Sequence, residues 1–165
     1  MIRTDIFWAS CSRGLELAVG CNGCSLGIAH GFEIVPSHFP GWKFCAADTI
    51  ADSGLHSRLF VGQPKAVARL AGEVIADLKG FAITLSCAGQ VRERGTGANV
   101  LGSPLAAVAH LIADLARQPD TKPLQAGDLV TTGTLTAAMA VRPSETWITQ
   151  LNGIAVPGLR LEFVA

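Results

Sequence analysis

Between Gly31 and Asp52 the sequence GFEIVPSHFPGWKFCAADTIAD sets three carboxylates, Glu33, Asp48 and Asp52, into a run that is otherwise apolar and aromatic. Glu33 lies among Phe32, Ile34 and Val35 on a short predicted strand, which Pro36, Pro40 and Gly41 bring to an end. A carboxylate in such surroundings has to be neutral, paired or bound to a cation, because taking the charge out of water is costly. The competing reading places Glu33 on the solvent face of its strand and has the aspartates cap turns. Residue types alone leave both open.

The other chemistry-bearing residues are less concentrated. Cys21 and Cys24 form a CxxC pair, but Cys11, Cys45 and Cys87 stand singly, so a second ligand pair for zinc is missing. Gly20, Gly23 and Gly27 break up the strand and helix that a redox pair would want around it. An odd count of five cysteines, with no secretion signal at MIRTDIFWASCSRG, argues for free thiols in a reducing cytoplasm. The glycine-rich GTGANVLGSP lacks the GxGxxG order and the Lys-Ser/Thr ending of phosphate-binding loops. His110 has no metal-binding residue paired with it at helical spacing and reads as a surface or interface histidine.

The elements that must position these residues are mostly strands. RLFV at Arg58 to Val61 reads as a strand ended by Gly62 and Pro64. Phe81, Ile83, Leu85 and Cys87 alternate with small or polar residues, and with a Gly89-Gln90 turn and Val91 to Arg94 they predict a hairpin. LVTTGTLTAAMAV after Gly127-Asp128 favours a strand until Gly133 interrupts it, at a point suited to close approach by a ligand. Thr146 to Leu151 and Leu159 to Val164 read as two further alternating strands. Ser103 as cap, Pro104 in the first turn and the stripe Leu105, Val108, Ile112, Leu115 make a helix over about 104–117. Val67, Leu70, Val74 and Leu78 give a weaker helical spacing over Ala66 to Leu78, open to a loop and strand instead. Residues 1–30 carry the fewest signals, with two helical turns conceivable at Arg13 to Val19.

A chain of 165 residues is expected to form one domain with a sizeable core. The hydrophobic fraction of 49% and charged fraction of 16% exclude disorder, and so few surface charges point to cover by other chains, hence a homo-oligomer or a partner subunit. Thirteen basic residues balance thirteen acidic ones without a basic stripe, so a nucleic-acid partner is not expected. No apolar run reads as a membrane span, and no membrane association is expected.

FEIVPSHFPGWKFCAADTIADS, VLGSPLAAVAHLIADLA and LQAGDLVTTGTLTAA occur in an order and spacing that resemble the 2-keto-4-pentenoate hydratases and 4-oxalocrotonate decarboxylases of the fumarylacetoacetate hydrolase superfamily, from about Phe32 to Phe163. The resemblance implies a mixed α/β, β-rich fold, a rolled mixed sheet with few helices, in an oligomer. It implies magnesium or manganese held by three carboxylates, two on a Glu-x-Glu strand and a third that Glu33 matches. That cation would chelate a small 2-oxo or 2-hydroxydienoic acid from aromatic-compound breakdown and stabilise its dienolate during hydration or decarboxylation. Gly133 and Thr134 match a substrate-binding element, Asp48 matches a motif beside the catalytic site, and Lys43 is a further candidate for an anion contact. The Glu-x-Glu pair is expected at or before Met1, which makes residues 1–30 a divergent segment and 31–165 a truncated catalytic domain. An enzyme subunit completed by a second polypeptide, a small-acid-binding module and a structural protein are the alternatives.

Overall fold

A computed structural model describes residues 1–9, 27–67, 74–125 and 127–164. Its strands fall into two sheets. In the first, β3 (Arg58–Val61), β2 (Gly27–Ile34), β1 (Ile2–Ala9) and β7 (Leu129–Thr134) run in that order, with the short β4 (Lys65–Ala66) also on β2. In the second the order is β6 (Gln90–Thr96), β5 (Ala82–Cys87), β8 (Thr146–Asn152) and β9 (Arg160–Glu162). The fold class is the expected β-rich α/β type. Where one rolled mixed sheet was expected, the ladders among the described residues are all antiparallel and form two sheets. Short connections such as the β5–β6 turn permit only antiparallel neighbours, since a parallel pair needs a long crossover.

Side-chain alternation decides what each face of the first sheet does. Ile2 of β1 and Phe32 of β2 pack with Leu85, Cys87 and Trp147 of the second sheet, so the core lies between the sheets. His30 joins this face: its Nε2 is 2.8 Å from Thr149 Oγ1 on β8, a hydrogen bond from sheet to sheet. Residues one step along, Arg3 and Glu33, leave the same strands on the opposite face.

The boundary expected between residues 30 and 31 falls inside β2, and Ile2–Ala9 form a strand between β2 and β7. The first residues are therefore part of the sheet that carries Glu33. β1 was hard to read because Arg3, Thr4 and Asp5 interrupt its apolar pattern. Cys11, Cys21, Cys24 and the possible turns at Arg13 to Val19 lie outside the described residues.

α3 spans Pro104–Arg117 with Ser103 Oγ accepting from Leu105 N at 3.3 Å, as its cap and proline predict. Among the described residues two shorter helices accompany it, α1 (Ala46–Ala51) and α2 (Val74–Gly80); the latter takes the C-terminal part of the helix expected over Ala66 to Leu78, of which 68–73 lie outside the described residues. By length and composition the 21 residues 97–117 are apolar enough to cross a membrane, contrary to the expectation from sequence. They are not one helix, because Leu101 and Gly102 at φ 48° and 83° separate a turn at Gly97–Asn99 from α3. The 14 residues of α3 reach about 21 Å, short of a bilayer core of about 30 Å. The hairpin turn sits at Ala88-Gly89, both at positive φ, one residue before the expected place.

Candidate functional site

Each of the three carboxylates that stand out in the sequence has a partner. Glu33 is 3% exposed, so it does not face solvent. In the β1–β2 ladder it lies directly opposite Arg3, and cross-strand pairs share a face. Arg3 Nε donates to Glu33 Oε2 at 2.7 Å and Arg3 Nη2 lies 2.5 Å from the same oxygen. His56 Nδ1 is 2.9 Å from the other oxygen, Oε1. A carboxylate accepts, so Nδ1 is the donor in this contact, and in the neutral form of the ring Nε2 is then the acceptor nitrogen. Arg3 and Glu33 thus make a partly buried charge-assisted pair with His56 at its outer edge.

The loop between β2 and β3 brings His56 there. Ser57 N donates to Ile34 O at 3.1 Å, closing the loop onto the end of β2. Ser53, Gly54 and Leu55 run consecutively through left-handed backbone at φ 50°, 69° and 61°. Left-handed residues other than glycine are costly and persist when their surroundings hold them. Leu55 is buried, which anchors this turn one residue before His56.

Asp52 and Asp48 are used within that same loop. Asp52 holds His38 Nδ1 at 2.8 Å. Asp48 Oδ2 accepts from Cys45 N at 2.8 Å and closes the first turn of α1. That backbone N–H, together with the Cys45 side chain, lowers the Asp48 carboxyl below its ordinary value. Its geometry is that of a cap that fixes the loop. Lys43 is exposed and its backbone N–H closes a turn onto Pro40 O at 3.4 Å, beside the tilted rings of Trp42 and Phe44. The structure does not bring Asp48 or Lys43 into contact with Glu33 in any hydrogen bond or ion pair among the described residues.

Gly133 and Thr134 come closer. Phe7 pairs with Thr131 and Asp5 with Thr134, so β7 uses three steps where β1 uses two, and the extra residue is a bulge. Gly133 sits in it at φ 118°, a conformation that essentially only glycine adopts. A methyl group there would meet only Val100, at 3.5 Å, so the backbone conformation and not crowding calls for glycine. The bulge sets Thr134 opposite Asp5, which is itself opposite Gly31. Thr134 therefore belongs to the row of the sheet next to the Arg3–Glu33 row, about 7 Å along the strands. Gly97, in the glycine-rich loop, has a packing reason instead: a Cβ would lie 1.9 Å from Leu78 O.

Arg3 and His56 were not singled out in the sequence. Arg3 stands in the segment with the fewest signals, and His56 is a lone histidine in GLHSRL that only the loop closure brings to Glu33. A basic residue next to a strand-forming run was the signal available for Arg3.

Magnesium and manganese take oxygen ligands, chiefly carboxylates, carbonyls and water. Among the described residues there is no cluster of three or more His, Cys, Asp or Glu side chains able to hold a metal ion. Both oxygens of Glu33 already accept from Arg3 and His56. As arranged, these residues do not fit a divalent cation, and Glu33 is an ion-pair partner where a metal ligand was expected.

The chain is 34% identical over 122 residues to a 2-keto-4-pentenoate hydratase of Burkholderia vietnamiensis and 33% identical over 122 residues to a 4-oxalocrotonate decarboxylase of Pseudomonas putida. Each alignment takes in 74% of this chain and 44% of the relative, so the chain spans about half the length of the relatives it matches. In three dimensions it superposes on the 4-oxalocrotonate decarboxylase of Pseudomonas putida G7, complexed with magnesium and adipate, with a TM-score of 0.79 and 24% identity, covering 99% of this chain and 60% of that one. A fumarylacetoacetate hydrolase family protein from yeast, ynq8, shares the fold at a TM-score of 0.62 and 15% identity, with coverage of 99% and 69%. Residues 46–156 match the model of the fumarylacetoacetate (FAA) hydrolase C-terminal family, and over that stretch, more than half the sequence, the chain belongs to this family.

Proposed function

We propose that this chain is the catalytic-domain portion of a lyase that hydrates or decarboxylates small 2-oxo or 2-hydroxydienoic acids. The names of its relatives support the reaction class. The observation that carries the reading within this chain is the buried Glu33 with His56 Nδ1 at 2.9 Å. A carboxylate that holds one ring nitrogen fixes the tautomer and leaves the other nitrogen to move a proton. In this reading His56 Nε2 takes the proton of the substrate's 2-hydroxyl and returns one to the distal carbon as the enol becomes a ketone. Water then adds across the remaining double bond. In decarboxylation the same ketone accepts the electron pair left when the carboxyl carbon departs as carbon dioxide. Thr134, one row away, offers a hydroxyl to the substrate carboxylate.

The family resemblance brings a divalent cation, magnesium or manganese, to Glu33, and solved neighbours are complexed with magnesium or calcium. Such a cation would supply electrophilic stabilisation of the enolate. The arrangement in this chain opposes its binding, and the steps above use the chain's own residues. The reading includes assembly with further chains, supported by exposed Trp42, Phe60, Ile75, Leu101 and Leu129, and a cytoplasmic setting, supported by the cysteine usage.

The test is turnover of a 2-hydroxydienoate by the full chain, followed by loss of its ultraviolet chromophore. His56→Gln is expected to lower kcat by about 10²- to 10⁴-fold with little change in KM. Wild-type turnover that His56→Gln leaves intact would remove His56 from the chemistry. Neither turnover nor saturable binding of the acid would remove the lyase reading altogether.

A further inference from the structure

We infer that Arg3 is the resident counter-charge of Glu33 and takes the place of a divalent cation in this chain; the inference rests on the family reading only for the expectation that a cation would otherwise sit there. Three observations carry it.

Register comes first. The strand beside β2 reads Arg3-Thr4-Asp5, in which the first and third positions share the face that carries Glu33. The first of those positions lies opposite Glu33 and holds a guanidinium.

Occupancy is the second. Oε2 receives Arg3 Nε at 2.7 Å and Nη2 at 2.5 Å, and Oε1 receives His56 Nδ1 at 2.9 Å. A hard cation needs the same lone pairs and would have to displace one of these donors.

Charge is the third. The Glu33 side chain is 4% exposed and the Arg3 side chain 29%. Carboxylate and guanidinium together are neutral, as a nearly dry site requires. A dication added to that neutral pair would bring the site to a net charge of +2, where water screens it little.

The experiment measures metal occupancy and not turnover. Purified full chain is titrated with manganese, read by the spin-resonance signal of the free ion and by calorimetry, and its thermal unfolding is followed with and without the metal. Wild type is expected to show no saturable binding up to about 5 mM, beyond the weak end of protein cation sites, and no change in midpoint. Arg3→Glu, which puts a second carboxylate beside Glu33, is expected to bind manganese saturably and to gain several degrees in midpoint, or to fold only with the metal, reversibly with EDTA. Arg3→Gln serves as the milder variant and is expected to bind more weakly than Arg3→Glu but measurably. Wild-type binding tighter than about 1 mM that Glu33→Gln abolishes would overturn the inference. So would failure of both Arg3 variants to bind manganese or be folded by it, because something other than Arg3 would then exclude the cation. A wild type without lyase activity counts against the proposed function and leaves this inference standing.

Discussion

Replacing Arg3 by Gln should cost the fold more than replacing Glu33 by Gln, and the difference follows from which charge is left behind. With Arg3→Gln the carboxylate stays in place with its side chain 4% exposed, and among the described residues His56 is the one side-chain donor remaining. Stranding a buried charge costs about 3–5 kcal/mol when its partner is removed. Arg3 is not fully buried, which weakens the original pair, and His56 still serves one oxygen, so a loss of about 2–3 kcal/mol is expected. Glu33→Gln keeps the shape and leaves the guanidinium, 29% exposed, with access to water and with its contacts other than Glu33, at about 1–2 kcal/mol. The double variant strands neither charge. It should cost less than the sum of the two by a coupling of about 1–2 kcal/mol. Urea unfolding of all four proteins at one protein concentration measures these values, with an unchanged slope showing that the same transition is compared. An Arg3→Gln loss below about 0.5 kcal/mol, or a cycle additive within that limit, would mean that the pair is not held as described and that Glu33 is free to take another partner.

Asp48→Asn should remove the acid sensitivity of the α1 cap. The folded-state value of Asp48 lies below its ordinary 3.8, so its contribution is fully present above that pH and is lost as pH falls through the lowered value. Melting midpoints of wild type and variant should therefore differ at pH 6 and converge toward pH 2; a constant gap would refute the capping role. Thr4 and Thr136 bury a hydroxyl pair at 2.9 Å between β1 and the segment after β7. Thr4→Val should cost about 1–3 kcal/mol in urea unfolding, and Thr4→Val with Thr136→Val should cost less than the single change, because the unmet hydroxyl is gone. Gly133→Ala should cost about 1–3 kcal/mol from the φ of 118° alone, and substrate binding should weaken with it if the bulge positions Thr134.

Much of the scaffold is legible in the sequence because local physics and packing agree there. Phe81, Ile83, Leu85 and Cys87 alternate, and all four are buried. Ser103 and Pro104 begin α3 where their types require. His110 is exposed on that helix, and Cys87 is buried as its place on the strand implies. The site is less legible because its partners are far apart in sequence. Thirty positions separate Arg3 from Glu33 and 23 separate Glu33 from His56, and no local pattern carries either pairing. The residue types around Glu33 raised a paired or cation-bound carboxylate beside a solvent-facing one, and its burial decides for a partner. They left its nature open between a cation-bearing side chain and a metal ion, and that difference is one of register, since it depends on which residue β1 places opposite Glu33.

Register also explains why a single strand matters so much here. A one-residue slip of β1 against β2 would send Arg3 to the inner face and bring Ile2 or Thr4 beside Glu33. The slip is opposed on the inner face, because Ile2 fills the core with Phe32 and Leu85, and Thr4, two residues along on that same face, meets Thr136. The apolar contacts of the inner face thus fix the ionic contact of the outer one. Cavity-forming changes at Ile2 are accordingly expected to act at a distance. Ile2→Ala should cost about 2–5 kcal/mol in urea unfolding, and, by loosening β1, should let manganese reach Glu33 in the same titration that wild type resists. A large loss of stability with no gain of metal binding would show instead that the Arg3–Glu33 pair holds the register without help from the core.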